Sequence, residues 1–258
     1  MSRDTHDRPH DDTPHPGRFL VFDGPDGGGK STQITRLATW LRAQGHQVVL
    51  CRDPGGTPLG ERLRGLLLDR DTVPISLRSE MLLYMASRAQ LVDQIIAPAL
   101  KAGKLVVSDR FTWANIVYQG IAGGLGIAEV ARVGRIATGG LHADLTLILD
   151  LPLETAQART GGARDRMEER GLDFHRKVRE GFLSLARATT QSPDSTDFDA
   201  VWDASHVEAD VEAHPSDLRL GRAAASRCVV IDASGEPDAV FGQIKNEVER
   251  VLAFGPWS

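Results

Sequence analysis

Cysteine is scarce. Cys51 and Cys228 are the only two in 258 residues, too few for a disulfide framework. They fit a reducing compartment, the cytoplasm, where a cysteine behaves as a small hydrophobe. Long apolar runs are missing as well: none approaches the roughly 18 residues of a membrane-spanning helix. The first sixteen residues are polar and rich in Asp, His and Pro, without the apolar centre of a secretory signal. There is no basic surplus either. The formal net charge of −5 argues against a generic nucleic-acid binder. No repeat at a fixed period is visible. Together these absences exclude a membrane protein, a secreted disulfide scaffold and a basic DNA-coating protein.

What is present is an ordinary globular composition, 41% apolar and 25% charged, in a chain long enough to bury a sizeable core. The charge is uneven. Ser192 to Asp217 carries eight acids and no Lys or Arg, so the remainder is about +3, which suits an anionic small molecule without requiring one. Residues 1–17 read as a disordered tail, with six charges, three Pro and His6, His10 and His15. Those histidines lack the regular ligand spacing of a metal tract and read as solvated. The acidic, Ser- and Pro-containing stretch at about 192–226 reads as an exposed insertion, either a solvated loop or a docking segment using Phe198 and Trp202.

Between these stretches, short apolar runs alternate with helical periodicity. Phe19–Phe22, Val48–Cys51, Leu105–Val107, Leu145–Leu149 and Cys228–Ile231 read as strands. Their near-continuous apolar character is that of strands buried on both faces. Ile34, Leu37, Ala38 and Leu41 mark one face of a helix starting at Lys30 and ending before Gly45. Further helices are predicted at about Leu77–Ala102, Ile127–Thr138, Leu172–Ala188 and Asp238–Leu252. The alternation predicts one α/β domain, a five-stranded parallel sheet with helices on both faces.

Gly24-Pro25-Asp26-Gly27-Gly28-Gly29-Lys30-Ser31, followed by Thr32, matches the phosphate-binding loop G-x-x-x-x-G-K-[ST]. It lies between a predicted strand and a predicted helix, as the motif requires. Glycines let successive backbone N–H groups curl around phosphate oxygens, and the helix N-terminus adds positive character. Lys30 reaches the β- and γ-phosphates and the Ser31 hydroxyl ligates Mg²⁺. The chain therefore reads as a binder of a nucleoside triphosphate with Mg²⁺. It has no N-K-x-D guanine motif, which speaks against a GTPase.

Four more clusters concern what receives the phosphate. They are Arg52-Asp53-Pro54-Gly55-Gly56-Thr57 after the second strand, Tyr84 to Gln90 on the long helix, Asp109-Arg110-Phe111 with Asn115 and Tyr118-Gln119-Gly120 after the third strand, and Arg164-Asp165-Arg166-Met167-Glu168 after the fourth. An Asp at a strand end can hold Mg²⁺ and its waters. The Asp109–Arg110 pair can also be a local ion pair. Tyr84 and Arg88 are one helical turn apart and can share a pocket, although a lone tyrosine is more often core.

This set resembles the thymidylate kinase family, over about Phe19–Thr190 and again at Val229–Ala233. The resemblance implies a three-layer P-loop NTPase sandwich with a mobile lid at about 157–171. It also implies transfer of the γ-phosphate of ATP to thymidine 5′-monophosphate, in dTTP biosynthesis, by a homodimer that involves neither nucleic acid nor membrane. Arg52 and Arg110 would bind the acceptor phosphate, where a guanidinium fork suits phosphate oxygens. Arg88 would donate to a thymine carbonyl, Tyr84 would stack on the base, and Asn115 can offer a donor and an acceptor to its N3/O4 edge. Tyr118 would crowd the sugar 2′ position and Asp26 would lie near the 3′-hydroxyl. Gln119 is either a ligand or a helix-surface residue.

The loop carries Gly27 and Gly28 but no arginine, so the lid must supply the family's catalytic arginine, from Arg159, Arg164 or Arg166. Gly161 stands where an arginine is common in the family, and Ala114 where Ser is usual. Two rivals remain at this level. One is a deoxynucleoside kinase with Asp53 as base, and the other is a nucleotide-binding regulatory protein without catalysis.

Overall fold

The computed structural model describes residues 17–69, 74–160, 165–167, 169–191 and 227–253. The histidine-bearing tail, the acidic insertion with Phe198 and Trp202, Gly161, Gly162, Arg164 and Glu168 lie outside the described residues.

The described residues build a five-stranded sheet in the order β2-β3-β1-β4-β5. The strands are β1 Arg18–Asp23, β2 Val48–Arg52, β3 Leu105–Asp109, β4 Leu145–Asp150 and β5 Arg227–Asp232. Every pairing is parallel, as βαβ crossovers require. The three central strands are the apolar runs β1, β3 and β4, and they are buried almost throughout. The edges β2 and β5 are mixed.

Side-chain alternation along β1 sends Leu20 and Phe22 to one face and Phe19 and Val21 to the other, the period of two that defines a strand. On the first face they pack with Ile34, Leu37 and Leu41 of α1 (Lys30–Ala43) and with Val240, Ile244 and Val248 of α9 (Pro237–Ala253). On the second they meet Leu91 and Ile96, close to the end of α3 (Leu77–Leu91). The predicted three layers are therefore present. β1 sits between β3 and β4, so the chain reverses its winding direction beside it. In open α/β sheets, ligands bind at the carboxyl ends of the strands at such a point.

Two predicted features differ from the structure. The helix read as continuous from Leu77 to Ala102 is broken by a π-helical turn at Val92–Ile96, followed by the short α4, Ala97–Lys101. Pro98 explains this: it has no N–H to donate and its ring crowds the carbonyl four residues back, which a widened turn relieves. Three further helices are not among those the periodicity predicts. They are α2 (Pro58–Leu68), α5 (Thr112–Asn115), which runs into a π-helical segment at Ile116–Ala122, and α7 (Leu153–Thr160). For α2 the local signal was present. Thr57 is an N-cap whose side chain accepts from the Gly60 N–H, with Pro58 at the first helical position, both standard helix starts. The remaining elements, α6 (Ile127–Thr138) and α8 (Leu172–Gln191), follow the periodicity, with α8 three residues longer than predicted.

Candidate active site

The phosphate loop leaves the carboxyl end of β1 and returns into α1. Gly24 has φ +117° and Gly27 φ +79°, and a Cβ at either position would lie 2.6 Å from a backbone oxygen, that of Leu149 or Ala156. Only glycine serves at both. Gly27→Ala would force a left-handed L-residue against the α7 backbone, at a cost of order 1–3 kcal/mol. Its expected signature is a raised KM for ATP with a lowered unfolding midpoint. An unchanged KM would show that the loop tolerates the shift.

Lys30 is buried at the start of α1, and its amine donates to the carbonyls of Gly24 (3.2 Å) and Pro25 (2.8 Å). Burial, and then the nearby Arg110 charge, draw its pKa below the usual lysine range. Ser31 and Thr32 are exposed at the helix start. The Ser31 hydroxyl donates to Asp109 Oδ2, 3.3 Å away at the end of β3. A hydroxyl and a carboxylate side by side form the hard oxygen set that Mg²⁺ takes, with phosphate and water completing its shell.

Arg110 follows Asp109 with φ +69°, a left-handed conformation rare for a side-chain-bearing residue. Its carbonyl is held by the Ser108 hydroxyl at 2.7 Å and its N–H by the Phe22 carbonyl at 2.8 Å. This turns the guanidinium back over the phosphate loop. It donates to Asp26, to the Gly24 carbonyl (3.2 Å), to Asp23 (3.4 Å) and to the Tyr118 hydroxyl (3.3 Å). Tyr118 in turn donates to Asp26 at 3.1 Å. Burial alone would raise the Asp26 pKa, but Arg110 and Lys30 outweigh it and bring it down to about 2. Burial dominates at Asp23 and pushes it up to about 6. The Asp109–Arg110 pair is thus no local ion pair, because the arginine's acidic partners are Asp26 and Asp23.

A pocket opens beside this group, lined among others by Asp26, Tyr84, Arg88, Arg110, Asn115, Tyr118 and Gln119. Tyr84 and Arg88 share it as their helical spacing predicts. Arg88 is 1% exposed. Its Nε donates to Asp53 Oδ2 at 2.5 Å, Nη2 to Asn115 Oδ1 and the Phe111 carbonyl, and Nη1 to Met85 Sδ. Asn115 Nδ2 donates to Gln119 Oε1 at 2.7 Å. Of the two readings of Gln119, a surface residue is excluded, since it is buried and lines the pocket. Arg52 is not among the lining side chains. It is exposed at the end of β2 and donates to Glu61 at 2.7 Å.

Of the lid arginines, Arg159 donates to the carbonyls of Ala233 (2.9 Å) and Ser234 (3.4 Å) beyond β5. Arg166 donates to the Leu67 carbonyl (3.0 Å) at the end of α2 and to Glu80 (2.6 Å). Neither makes one of these bonds with the phosphate loop.

Sequence reasoning missed Arg64, Asp165 and Met167 as pocket lining and Asp53 as the partner of Arg88. Arg64 donates to the Pro54 carbonyl at 3.0 Å, and only an assigned α2 would have aimed it there. Asp53 is fully paired on one oxygen, and burial lifts its pKa above the ordinary range despite Arg88.

Residues 22–196 match the thymidylate kinase family. The chain is 48% identical over 170 residues to the thymidylate kinase of Rhodopirellula baltica, covering 66% of this chain and 69% of the relative. It is 44% identical over 199 residues to that of Deinococcus radiodurans, covering 76% and 93%. The crystal structure of thymidylate kinase from Ehrlichia chaffeensis superposes with a TM-score of 0.62 at 26% identity, over 90% of this chain and 99% of that one. With the phosphate loop, the pocket beside it and the sheet that carries both, these matches show that the chain belongs to the thymidylate kinase family.

Proposed function

We propose that the phosphate loop and the acceptor pocket are the two halves of one phosphoryl-transfer site, joined by Asp26, Arg110 and Tyr118. The reaction is that of the family: an ATP-dependent kinase acting on thymidine 5′-monophosphate in dTTP biosynthesis. The observation that supports this division is that Arg110 touches the loop carbonyl of Gly24 and lines the acceptor pocket at once. A group in that place can neutralise both phosphates as they meet, which hydrolysis would not need.

The acceptor already carries an anionic oxygen, so no general base is required. That oxygen forms a bond to the γ-phosphorus of ATP while the bond from the γ-phosphorus to the β-bridging oxygen breaks, giving dTDP and ADP. Lys30 offsets the charge that develops on the β–γ bridge. Ser31 and Asp109 would hold Mg²⁺, which when bound neutralises phosphate charge. Arg52 would have to leave Glu61 to meet the acceptor phosphate, and Arg88, Asn115 and Tyr84 take the base, with Gln119 bonded behind Asn115. Asp53 meets Arg88 through one carboxylate oxygen, and an acceptor that already carries an anionic phosphate oxygen has no proton for it to take. Arg159 and Arg166 are bound elsewhere, so Arg164→Ala is the lid variant expected to lower kcat more than it raises KM.

A homodimer through helices fits Leu82 of α3 and the 82%-exposed Ile136 of the adjacent α6, large apolar groups on neighbouring helices. The free thiols of Cys51 and Cys228 fit the cytoplasm. No helix among the described residues is long and apolar enough to cross a membrane.

The test is ADP release with ATP, Mg²⁺ and a panel of thymidylate, deoxyuridylate, deoxyguanylate, deoxycytidylate and thymidine. Preference for thymidylate is expected, with activity lost on chelating the metal. Turnover of thymidine alone would make the protein a nucleoside kinase. Thymidylate binding without turnover would make it a regulatory binder.

A further inference from the structure

Glu80 is a buried carboxylate to which the reaction just described gives no part. Glu80 lies in the first turn of α3 with 0% exposure, where the positive end of the helix favours an anion. Its Oε1 accepts from Gln119 Nε2 at 2.9 Å and from Arg170 Nη2 at 3.1 Å. Its Oε2 accepts from Arg166 Nη2 at 2.6 Å and from Arg170 Nη2 at 2.8 Å.

From Glu80 an unbroken chain leads into the base pocket. Gln119 Nε2 faces Glu80, so Gln119 Oε1 faces Asn115 Nδ2, at 2.7 Å. Asn115 Oδ1 then faces Arg88 Nη2, and Arg88 Nε faces Asp53 at 2.5 Å. A guanidinium only donates, whereas a carboxylate accepting four contacts offers no proton. The two amides between these ends can therefore point only one way. Asn115 is left with one N–H and one lone pair in fixed places beside the pocket.

We infer that Glu80 is a positioning residue for base recognition: by directing the Gln119 amide it directs the Asn115 amide, and so sets the preference for thymine over cytosine. The inference rests on the functional reading above. A thymine edge presents an N–H at position 3 beside a carbonyl at position 4, and a cytosine edge presents an acceptor beside an amine. An amide matched to one matches the other when turned over, because turning exchanges its donor and its acceptor. Only a held amide tells them apart, as a site built on hydrogen bonds rejects a ligand that leaves them unmade.

Glu80→Gln keeps the shape and breaks the direction. Its new NH2 faces two guanidiniums unless it turns toward Gln119. If it turns, Gln119 inverts and brings its own NH2 against Asn115 Nδ2, while Arg88 still demands Asn115 Oδ1. The chain then conflicts with itself at Asn115.

The experiment measures kcat and KM for thymidylate, deoxycytidylate and ATP in the wild-type protein, Glu80→Gln, Gln119→Leu and the swap Glu80→Gln/Gln119→Glu. For Glu80→Gln, the ratio of kcat/KM for thymidylate over deoxycytidylate is expected to fall about tenfold, mainly through the thymidylate KM, with the ATP KM unchanged. Gln119→Leu cuts the chain while leaving Glu80 on its arginines, and the same fall is expected. It carries the test if Glu80→Gln does not fold. In the swap, the carboxylate at 119 accepts from both neighbours, so Asn115 regains its direction and the preference returns.

A merely structural Glu80 predicts no rescue by the swap, because the arginines still lack their carboxylate. That result would overturn the inference, as would unchanged discrimination in Gln119→Leu. Wild-type protein with no preference for thymidylate overturns the functional reading, and this inference with it. Wild-type preference with unchanged variants overturns this inference alone.

Discussion

Lys30→Ala is expected to lose about 10³-fold or more in kcat, with little change in thymidylate affinity. The amine stands at the foot of α1 over the loop carbonyls of Gly24 and Pro25, where triphosphate oxygens would replace those carbonyls as its partners. Arg110 is no substitute: its part is to bridge the loop and the acceptor pocket, and it keeps that part in the variant. The fold has little to lose, because burial already opposes the lysine charge and Asp26 keeps Arg110. The expected result is an enzyme with a nearly normal unfolding midpoint, normal thymidylate binding by calorimetry and no measurable ADP release. A rate near wild type would remove the phosphate loop from the reaction.

Arg88→Met should show the largest loss of stability, about 3–5 kcal/mol by urea unfolding, because it leaves the buried Asp53 without its counter-charge. Asp53 has no exposed atom to turn to water, and one of its oxygens already lacks a partner among the described residues. Burial raises its pKa and Arg88 is the main influence holding it down. Without Arg88 the folded-state pKa rises further. Stability tied to a raised carboxyl pKa is present at low pH and lost as pH climbs through that pKa. The variant is therefore expected to be most stable in mild acid and to weaken toward neutrality. Replacing Asp53 as well, in Arg88→Met/Asp53→Asn, should recover a large part of the loss and flatten that pH dependence. A double variant as unstable as the single one would show that Arg88 acts through packing against Phe111, over whose ring its guanidinium lies at 5.4 Å, and not through its charge.

The network at Arg88 also marks the limit of reading by spacing. A four-residue interval lets Tyr84 and Arg88 share one pocket, and both line it. The interval says which face two side chains share, and nothing about what that face meets. Asp53 comes from 35 residues away, Asn115 from 27 residues away, and Glu80 meets Gln119 across 39 residues. The family resemblance puts Arg166 among the lid arginines on the phosphate side. Its contacts with Leu67 and Glu80 depend on the end of α2, a helix that had gone unread although Thr57 and Pro58 announced it.

What the sequence determined by itself was everything that rests on near neighbours along the chain. The apolar runs made β1, β3 and β4 the buried centre of a parallel sheet, the 3.6-residue period drew α1, and a strand, a glycine turn and a lysine in succession specified a phosphate loop. Those signals work because a strand, a helix or a turn is a choice of backbone angles made within a few residues. Only the tertiary structure decided how Asp26 meets Arg110 and Tyr118 across 84 and 92 residues, and which way the amides of Asn115 and Gln119 face. A hydrogen bond between distant side chains is set by the packing that brings them together. In a buried pocket with donors fixed at one end and acceptors at the other, that packing leaves each amide a single direction.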